Sequence, residues 1–198
     1  MSDYMVQETT GRAVVRYRPI VVWIHWITAL LLVTQVYVGF TFHDMPRGPE
    51  RGEWFTWHKT IGATILLLAL LRLGVRLINP PPPFPVDLPK WERFFAVWNH
   101  RIFYFLIIAL PLTGLAAVSG RAEDGTVSLL WGLSLPAIPG IAEENDFGGV
   151  HEVLVWVTLV LLVIHVTAAL KHQFFVPNRV AGRMPPFRVA PDDESVAG

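Results

Sequence analysis

Histidines within apolar sequence are the residues of this chain that could do chemistry. The chain has 198 residues, of which 53% are apolar and 16% are charged, and it holds seven histidines. His151, His165 and His172 follow one another at intervals of 14 and 7 residues. Fourteen residues of α-helix end within about 40° of a whole number of turns and rise about 21 Å. Because two ligands of one ion stand about three or four residues apart on a helix, His151 and His165 are predicted to serve two separate metal centres.

The charged residues leave four gaps that indicate where the chain crosses a membrane. No Asp, Glu, Lys or Arg occurs within 19–43, 60–71, 102–120 or 153–170. A spanning helix needs about 20 mostly apolar residues, so the second gap suffices only when Lys59, Arg72 and Arg76 lie near the ends of its helix. The alternative is a three-span protein whose second segment is re-entrant. The sequence predicts an all-α membrane protein, a bundle of four transmembrane helices near residues 20–42, 57–78, 95–118 and 150–174.

The basic residues predict the orientation of this bundle. When both termini are placed in the cytoplasm, most Lys and Arg residues fall on the inner side, as the positive-inside rule requires. The outer side then receives Arg47, Arg51, Lys59 and Arg121. The first apolar run is too long for a signal peptide and lacks a small-residue cleavage site. We therefore expect an N-in, C-in topology.

The predicted topology gives each histidine of the fourth helix a partner at its own depth. His58, at the outer end of the second helix, is level with His151, and His25, in the first helix, is level with His165. Two b-type haems, each held by two histidines, are the simplest arrangement that uses all four. Imidazole on both faces of the iron leaves no open site for a substrate, so the predicted chemistry is one-electron transfer. A single transmembrane histidine can instead form a hydrogen bond between helices.

Two arginines on the second helix agree with this arrangement. Arg72 and Arg76 follow His58 by 14 and 18 residues, so both lie on its face of the helix, at the inner end. Arginine is the usual planar partner of carboxylates, so the pair is predicted to bind the propionates of the inner haem. The alternative is that each side chain extends to the cytoplasmic surface.

Composition argues against several other classes of protein. The chain has no cysteine, which excludes iron–sulfur clusters, thiolate zinc sites and covalently attached haem. Sixteen basic residues balance sixteen acidic ones, which argues against a nucleic-acid partner. An ion transporter would need acidic residues inside the spans, and the four gaps contain none. No Glu-x-x-His pair lies within a predicted helix, which argues against a di-iron bundle.

The histidines and arginines above belong to a longer set of short motifs, namely Tyr17-Arg18-Pro19 before His25-Trp26, His58-Lys59-x-x-Gly62, Arg72 with Arg76, His100-x-x-x-Tyr104, Pro111-Leu112-Thr113-Gly114, His151 with His165, Ala168-Ala169-Leu170-Lys171-His172, and Arg183-Met184-x-Pro186. In this set the chain resembles the bacterial cytochrome b561 family over about residues 16–187. Gln173 stands where family members often have a second histidine. The resemblance implies a four-helix cytochrome of the bacterial inner membrane with two b haems. It places His25, His58, His151 and His165 at the ligand positions.

The resemblance further implies a quinone, ubiquinone or another, as redox partner, and one branch of the family oxidises superoxide. We therefore expect single electrons to pass between a membrane quinone pool and an unidentified donor, with superoxide oxidation coupled to quinone reduction as a candidate reaction. Membrane lipid and a second copy of the chain are the other candidate partners. The main alternative is a haem-bearing subunit of a hydrogenase or dehydrogenase complex. A haem-free transporter or a structural membrane protein is the weaker alternative.

A quinone site is predicted at the cytoplasmic ends of the third and fourth helices. His100, Lys171 and His172 fall there, and Lys and protonated His can donate hydrogen bonds to quinone carbonyls. They could equally contact the haem propionates or be cytoplasmic anchors, since positive residues are expected on this side.

The cytochrome domain is predicted to cover 16–187, with disordered ends at 1–15 and 188–198.

Overall fold

The computed structural model describes residues 5–9, 12–79, 81, 84, 88–175 and 183–187. Its four long helices are α1 Pro19–His43, α2 Pro49–Ile78, α3 Lys90–Ser119 and α4 Phe147–Phe174. Each is long and apolar enough to cross a membrane. The predicted bundle of four spans is therefore confirmed, and the second span is a continuous helix rather than a re-entrant segment.

Two helices begin well before their predicted first residues at 57 and 95. Helix α2 begins at Pro49, because proline at the first helical position has a suitable φ and lacks an N–H that would need a partner. Glu50 lies in the first turn of this helix, where a negative charge interacts favourably with the helix dipole. Helix α3 begins at Lys90. A gap between charges marks the part of a helix inside the hydrocarbon, whereas α2 and α3 continue through the polar interface.

Helices that follow one another in the chain pack side by side, in the order α1, α2, α3 and α4. A cluster of apolar side chains joins α1 to α2, namely Val38, Ile61 and Ile65, with Leu31 and Trp54 packed against it. Ring side chains of α4 contact rings on α1 and on α2. The centroids of Phe40 and Trp156 are 5.9 Å apart. The end of the bundle that carries His58 and His151 is called the outer level below, and the opposite end the inner level, in keeping with the predicted orientation.

A short hairpin covers the outer ends of α2 and α3. Strands β3 Thr126–Ser128 and β4 Ser134–Pro136 pair antiparallel around a 3₁₀ turn at Leu130–Gly132. The backbone N–H of Leu130 donates to Thr60 Oγ1 at 3.0 Å, and that of Ile138 donates to Ser119 Oγ at 2.9 Å. The loop 120–146 between α3 and α4 is therefore fixed to both α2 and α3.

The stretch predicted to be a disordered N-terminus contains two paired strands, β1 Met5–Thr9 and β2 Arg12–Arg16. Their pairing satisfies backbone groups of two short segments, which composition alone does not reveal. At the other end of the chain, Arg183–Phe187 returns to the start of α1, where the Tyr17 N–H donates to the Arg183 carbonyl at 3.2 Å. The predicted disordered tail at 188–198 lies outside the described residues.

Candidate haem sites

The four predicted ligands lie in two groups, one at each end of the bundle. At the outer level, the rings of His58 on α2 and His151 on α4 have centroids 6.1 Å apart and planes inclined by 78°. At the inner level, the predicted pair is His25 on α1 and His165 on α4. The structure brings the two rings of the predicted outer pair together, whereas the ring beside His165 is that of His100, with centroids 5.4 Å apart.

The separation of the outer rings suits one iron between them. Metal–imidazole bonds are about 2.0–2.1 Å long, so two imidazoles that share one metal ion must lie close together. The ring centroids of His58 and His151 lie 6.1 Å apart, so the two imidazoles would hold one metal ion if a nitrogen of each ring faced it. Within the described residues, no group of three or more His, Asp or Glu side chains could chelate a bare ion. Two imidazoles at the outer level are a donor set that would suit a haem.

Two glycines make room for the outer rings against neighbouring helices. A Cβ atom on Gly39 of α1 would lie 3.2 Å from His58 Cε1, and one on Gly114 of α3 would lie 3.3 Å from His151 Cε1 and Nδ1. Glycine inside a helix lowers its stability by about 1 kcal/mol relative to alanine. The close approach of an imidazole ring explains why glycine stands at these two positions. Sequence reasoning missed Gly39 and gave Gly114 no role, although Gly114 closes the Pro-Leu-Thr-Gly motif.

Helix α3 fixes the tautomer of both histidines on α4. The Nδ1–H of His151 donates to the Leu110 carbonyl at 2.9 Å, and that of His165 donates to Asn99 Oδ1 at 3.2 Å. With the proton on Nδ1, Nε2 keeps its lone pair for a metal, and the same bond sets the ring plane and raises the basicity of the ligand. Thr113 Oγ1 is a further neighbour of His151 Nδ1, at 3.3 Å. Sequence reasoning missed Asn99 and Leu110, and a bare residue pattern carries no signal for a backbone acceptor.

The opposing histidines are held differently. Within the described residues, the Nδ1 atoms of His25 and His58 are buried and have no hydrogen-bond partner. Gln35 of α1 donates its Nε2–H to the His58 carbonyl at 3.0 Å and lies 3.2 Å from His58 Nε2. Gly62 allows this approach, because a Cβ there would lie 3.2 Å from Gln35 Nε2. Buried polar atoms without partners are rare in proteins and often mark the place of an ion or cofactor.

Cationic and aromatic side chains surround the inner pair. The ring of His100 lies 5.4 Å from that of His165, and its Nδ1–H donates to the Ala96 carbonyl at 2.7 Å. The Arg72 guanidinium lies 5.6 Å from the Tyr104 ring centroid, and its Nε is buried without a hydrogen-bond partner in the described chain. Arg76 follows Arg72 by one helical turn, at the inner end of α2. Both arginines thus lie at the inner level, on the same helix as His58.

The other two predicted quinone contacts meet at an acidic residue that sequence reasoning missed. Lys171 Nζ lies 3.0 Å from Glu92 Oε1, and His172 Nε2 lies 3.5 Å from Glu92 Oε2. The Lys171 side chain is 45% exposed, whereas those of His172 and Glu92 are nearly buried, at 13% and 12%. His100 stands two helical turns further along α3, beside His165. The predicted cluster therefore divides into one part at the α4 terminus and one part at the inner pair.

A shallow hollow of about 300 Å³ lies between the outer ends of α2 and α3 and the hairpin, and neither His58 nor His151 lines it. Its cationic lining residues are Lys59, which follows His58 in α2, and Arg121, two residues after the end of α3. Thr126 and Ser128 also line it, together with apolar residues, and the Thr126 hydroxyl donates to Asp124 Oδ2 at 2.9 Å. The two cations give the hollow a positive charge that would attract a small anion.

Comparison with known proteins agrees with these features. Residues 16–186 match the family described as prokaryotic cytochrome b561. Cytochrome b561 homolog 2 of Escherichia coli (strain K12) is 29% identical over 182 residues, which cover 85% of this chain and 90% of that protein. The protein named probable superoxide oxidase CybB of Yersinia pestis is 26% identical over 181 residues, which cover 86% of this chain and 96% of that protein. Cytochrome b561 homolog 1 of Escherichia coli (strain K12) is 25% identical over 175 residues, which cover 87% of this chain and 98% of that protein.

The family match covers nearly the whole chain, and the four apolar helices agree with it. The family implies binding of b-type haem and a role in electron transfer. The chain therefore belongs to the prokaryotic cytochrome b561 family and is a multi-pass membrane cytochrome of the b type.

Proposed function

We propose that this cytochrome binds two b haems, one at each level, and passes single electrons between a membrane quinone pool and a partner at the outer surface. The observation that carries the proposal is the outer pair, where the imidazoles of His58 and His151 stand 6.1 Å apart. His25 and His165 form the corresponding inner pair. A haem iron with imidazole on both faces supplies a one-electron couple and no open coordination position.

The side chains around each pair orient the ligands and balance charge. Leu110 and Asn99 hold the two α4 imidazoles with Nε2 unprotonated. Arg72, whose buried Nε has no hydrogen-bond partner among the described residues, together with Arg76 would bind the propionates at the inner level. Both arginines lie on the His58 face of α2, and their positive charge would favour an anionic cofactor.

The quinone is proposed to bind at the inner level, among His100, Lys171 and His172. His100 lies beside His165, and the Lys171 ammonium lies 5.5 Å from the Trp91 ring centroid. Trp91 is 59% exposed in the first turn of α3. An exposed aromatic surface beside hydrogen-bond donors suits a ligand that has a polar head group and an apolar tail.

A second observation favours superoxide as the electron donor at the outer level. The hollow lined by Lys59 and Arg121 would attract a small anion, and a relative is named a probable superoxide oxidase. Each superoxide would lose one electron and leave as dioxygen, and two such electrons with two protons would reduce one quinone to quinol. The expected result is superoxide-dependent haem reduction that slows as ionic strength rises. A rate that does not depend on salt would argue against this donor.

The proposal is tested by counting haem in the purified chain. We expect two b haems per chain, with an oxidised-minus-reduced absorption spectrum of low-spin haem. One haem or none would overturn it. Co-purification of a soluble redox subunit would instead favour a role as the haem-bearing subunit of a hydrogenase or dehydrogenase complex.

The N-in, C-in orientation in the bacterial inner membrane is proposed from the basic residues, and reporters fused to each terminus would test it.

A further inference from the structure

The residues Arg183–Phe187, called the C-terminal strap below, lie against the beginning of α1. Its Arg183 carbonyl accepts a hydrogen bond from the Tyr17 N–H at 3.2 Å. Its Pro185 carbonyl accepts one from Trp26 Nε1 at 2.6 Å. Two groups of motif residues from opposite ends of the chain thus meet in space, although the proposed function gives neither a role.

Trp26 stands between the strap and the inner ligand. Its indole ring lies 6.1 Å from the Phe187 ring on one side. On the other side it meets the ring of His25 edge to face, with centroids 5.2 Å apart and planes inclined by 73°. Aromatic pairs at such distances prefer this geometry, so the orientation of Trp26 constrains that of His25.

The strap has its own attachment to the rest of the bundle. Arg183 is 6% exposed, and its guanidinium lies 5.6 Å from the Phe84 ring centroid. The Arg93 guanidinium lies 5.8 Å from the same centroid and donates to the Leu88 carbonyl at 3.4 Å. Through Phe84 the strap is tied to the segment that joins α2 to α3. It therefore connects the beginning of α1 to the beginning of α3.

His25 needs a positioning partner more than the histidines of α4 do. The Nδ1 atoms of His151 and His165 are each bound to an acceptor on α3, whereas Nδ1 of His25 has no partner in the described chain. Packing must therefore fix the plane of this ring, and Trp26 is the aromatic neighbour in contact with it. The plane and surroundings of an axial ligand influence the potential and the magnetic properties of a haem.

We propose that Trp26 is a positioning residue for the inner haem ligand and that the C-terminal strap holds it in place. The inference rests on the proposed function insofar as His25 binds the inner haem. The inner site is then completed by a segment that follows the last membrane span. In this proposal Trp26 acts through its contact with His25.

The experiment compares single variants of the full chain, purified with their haems. Trp26→Phe removes the N–H that binds Pro185 but keeps an aromatic ring, and Trp23→Phe on the same helix is its matched control, since Trp23 is 67% exposed. Phe187→Ala removes the other contact of the indole, and Phe187→Tyr retains the ring. The readouts are the low-spin EPR signals and the midpoint potential of each haem.

We expect Trp26→Phe and Phe187→Ala to move the EPR signal and the potential of the inner haem. The outer haem should keep wild-type values and serves as an internal reference, and Trp23→Phe and Phe187→Tyr should resemble wild type. An unchanged inner haem in both Trp26→Phe and Phe187→Ala, or equal shifts of both haems, would overturn the inference. If the wild-type chain lacks two haems, or His25→Ala leaves both in place, the proposed function has failed instead.

Discussion

The Nδ1–H of His151 on α4 donates to the carbonyl of Leu110 on α3, at 2.9 Å. Asn99 on the same helix accepts the corresponding bond from His165. Helix α3 supplies none of the four proposed ligands, yet it contacts the Nδ1 atom of both ligands on α4. Such outer contacts set ligand orientation and basicity, so α3 acts as the template against which α4 presents its imidazoles.

The pairing of ligands is tested by single alanine variants. His58→Ala and His151→Ala should remove or alter the same spectral component, because both are proposed to bind the outer haem. His25→Ala and His165→Ala should alter the other component. Absorption and EPR spectra of the reduced and oxidised proteins provide the measurement. A common haem perturbed by both His58→Ala and His25→Ala would show that the pairing is wrong.

The role of Gly114 is tested by adding a side chain beside His151. Since a Cβ at this position would already lie 3.3 Å from the ring, Gly114→Leu should displace His151 and lower the outer haem content. Gly74→Leu is the matched control, because a Cβ on Gly74 meets no atom within 4 Å. The number of haems per chain is the measurement. Full occupancy in Gly114→Leu would contradict the packing argument.

Asn99 should influence the potential of the inner haem. Asn99→Asp places a carboxylate on the Nδ1–H of His165, which raises the basicity of the ligand and favours oxidised iron. The inner midpoint potential is therefore expected to fall in Asn99→Asp and to rise in Asn99→Leu, which removes the acceptor. Potentiometric titration followed by absorption measures both, with the outer haem as reference. Shifts in the same direction for the two variants would exclude this role.

Quinol should lose its route to the inner haem when donors at the inner level are removed. We expect His100→Ala and Lys171→Ala to slow reduction of the haems by quinol about tenfold, which corresponds to a loss of about 1.4 kcal/mol. Dithionite should still reduce both haems with unchanged spectra, which controls for damage to the sites. Stopped-flow absorption in membranes measures the rates. Wild-type rates in both variants would move the search to the outer loop 119–150.

The sequence predicts the spans and the depth of each histidine because both depend on local properties. The absence of charge over about 20 residues marks a span, and the helical rise converts the interval from His151 to His165 into a distance. The contacts of Gly39 and Asn99 with the histidines depend on how the helices rotate and pack. The same holds for the bond from Trp26 to Pro185, which joins residues 159 positions apart. No pattern along the chain reveals such pairs.

The position of the C-terminal strap also imposes an order on biosynthesis. The residues that surround His58 and His151 belong to α1, α2, α3 and α4, so they are all present once the fourth helix has been inserted. The strap that contacts Trp26 is translated after all of these helices. The surroundings of His25 are therefore the later of the two to be completed as the chain is made.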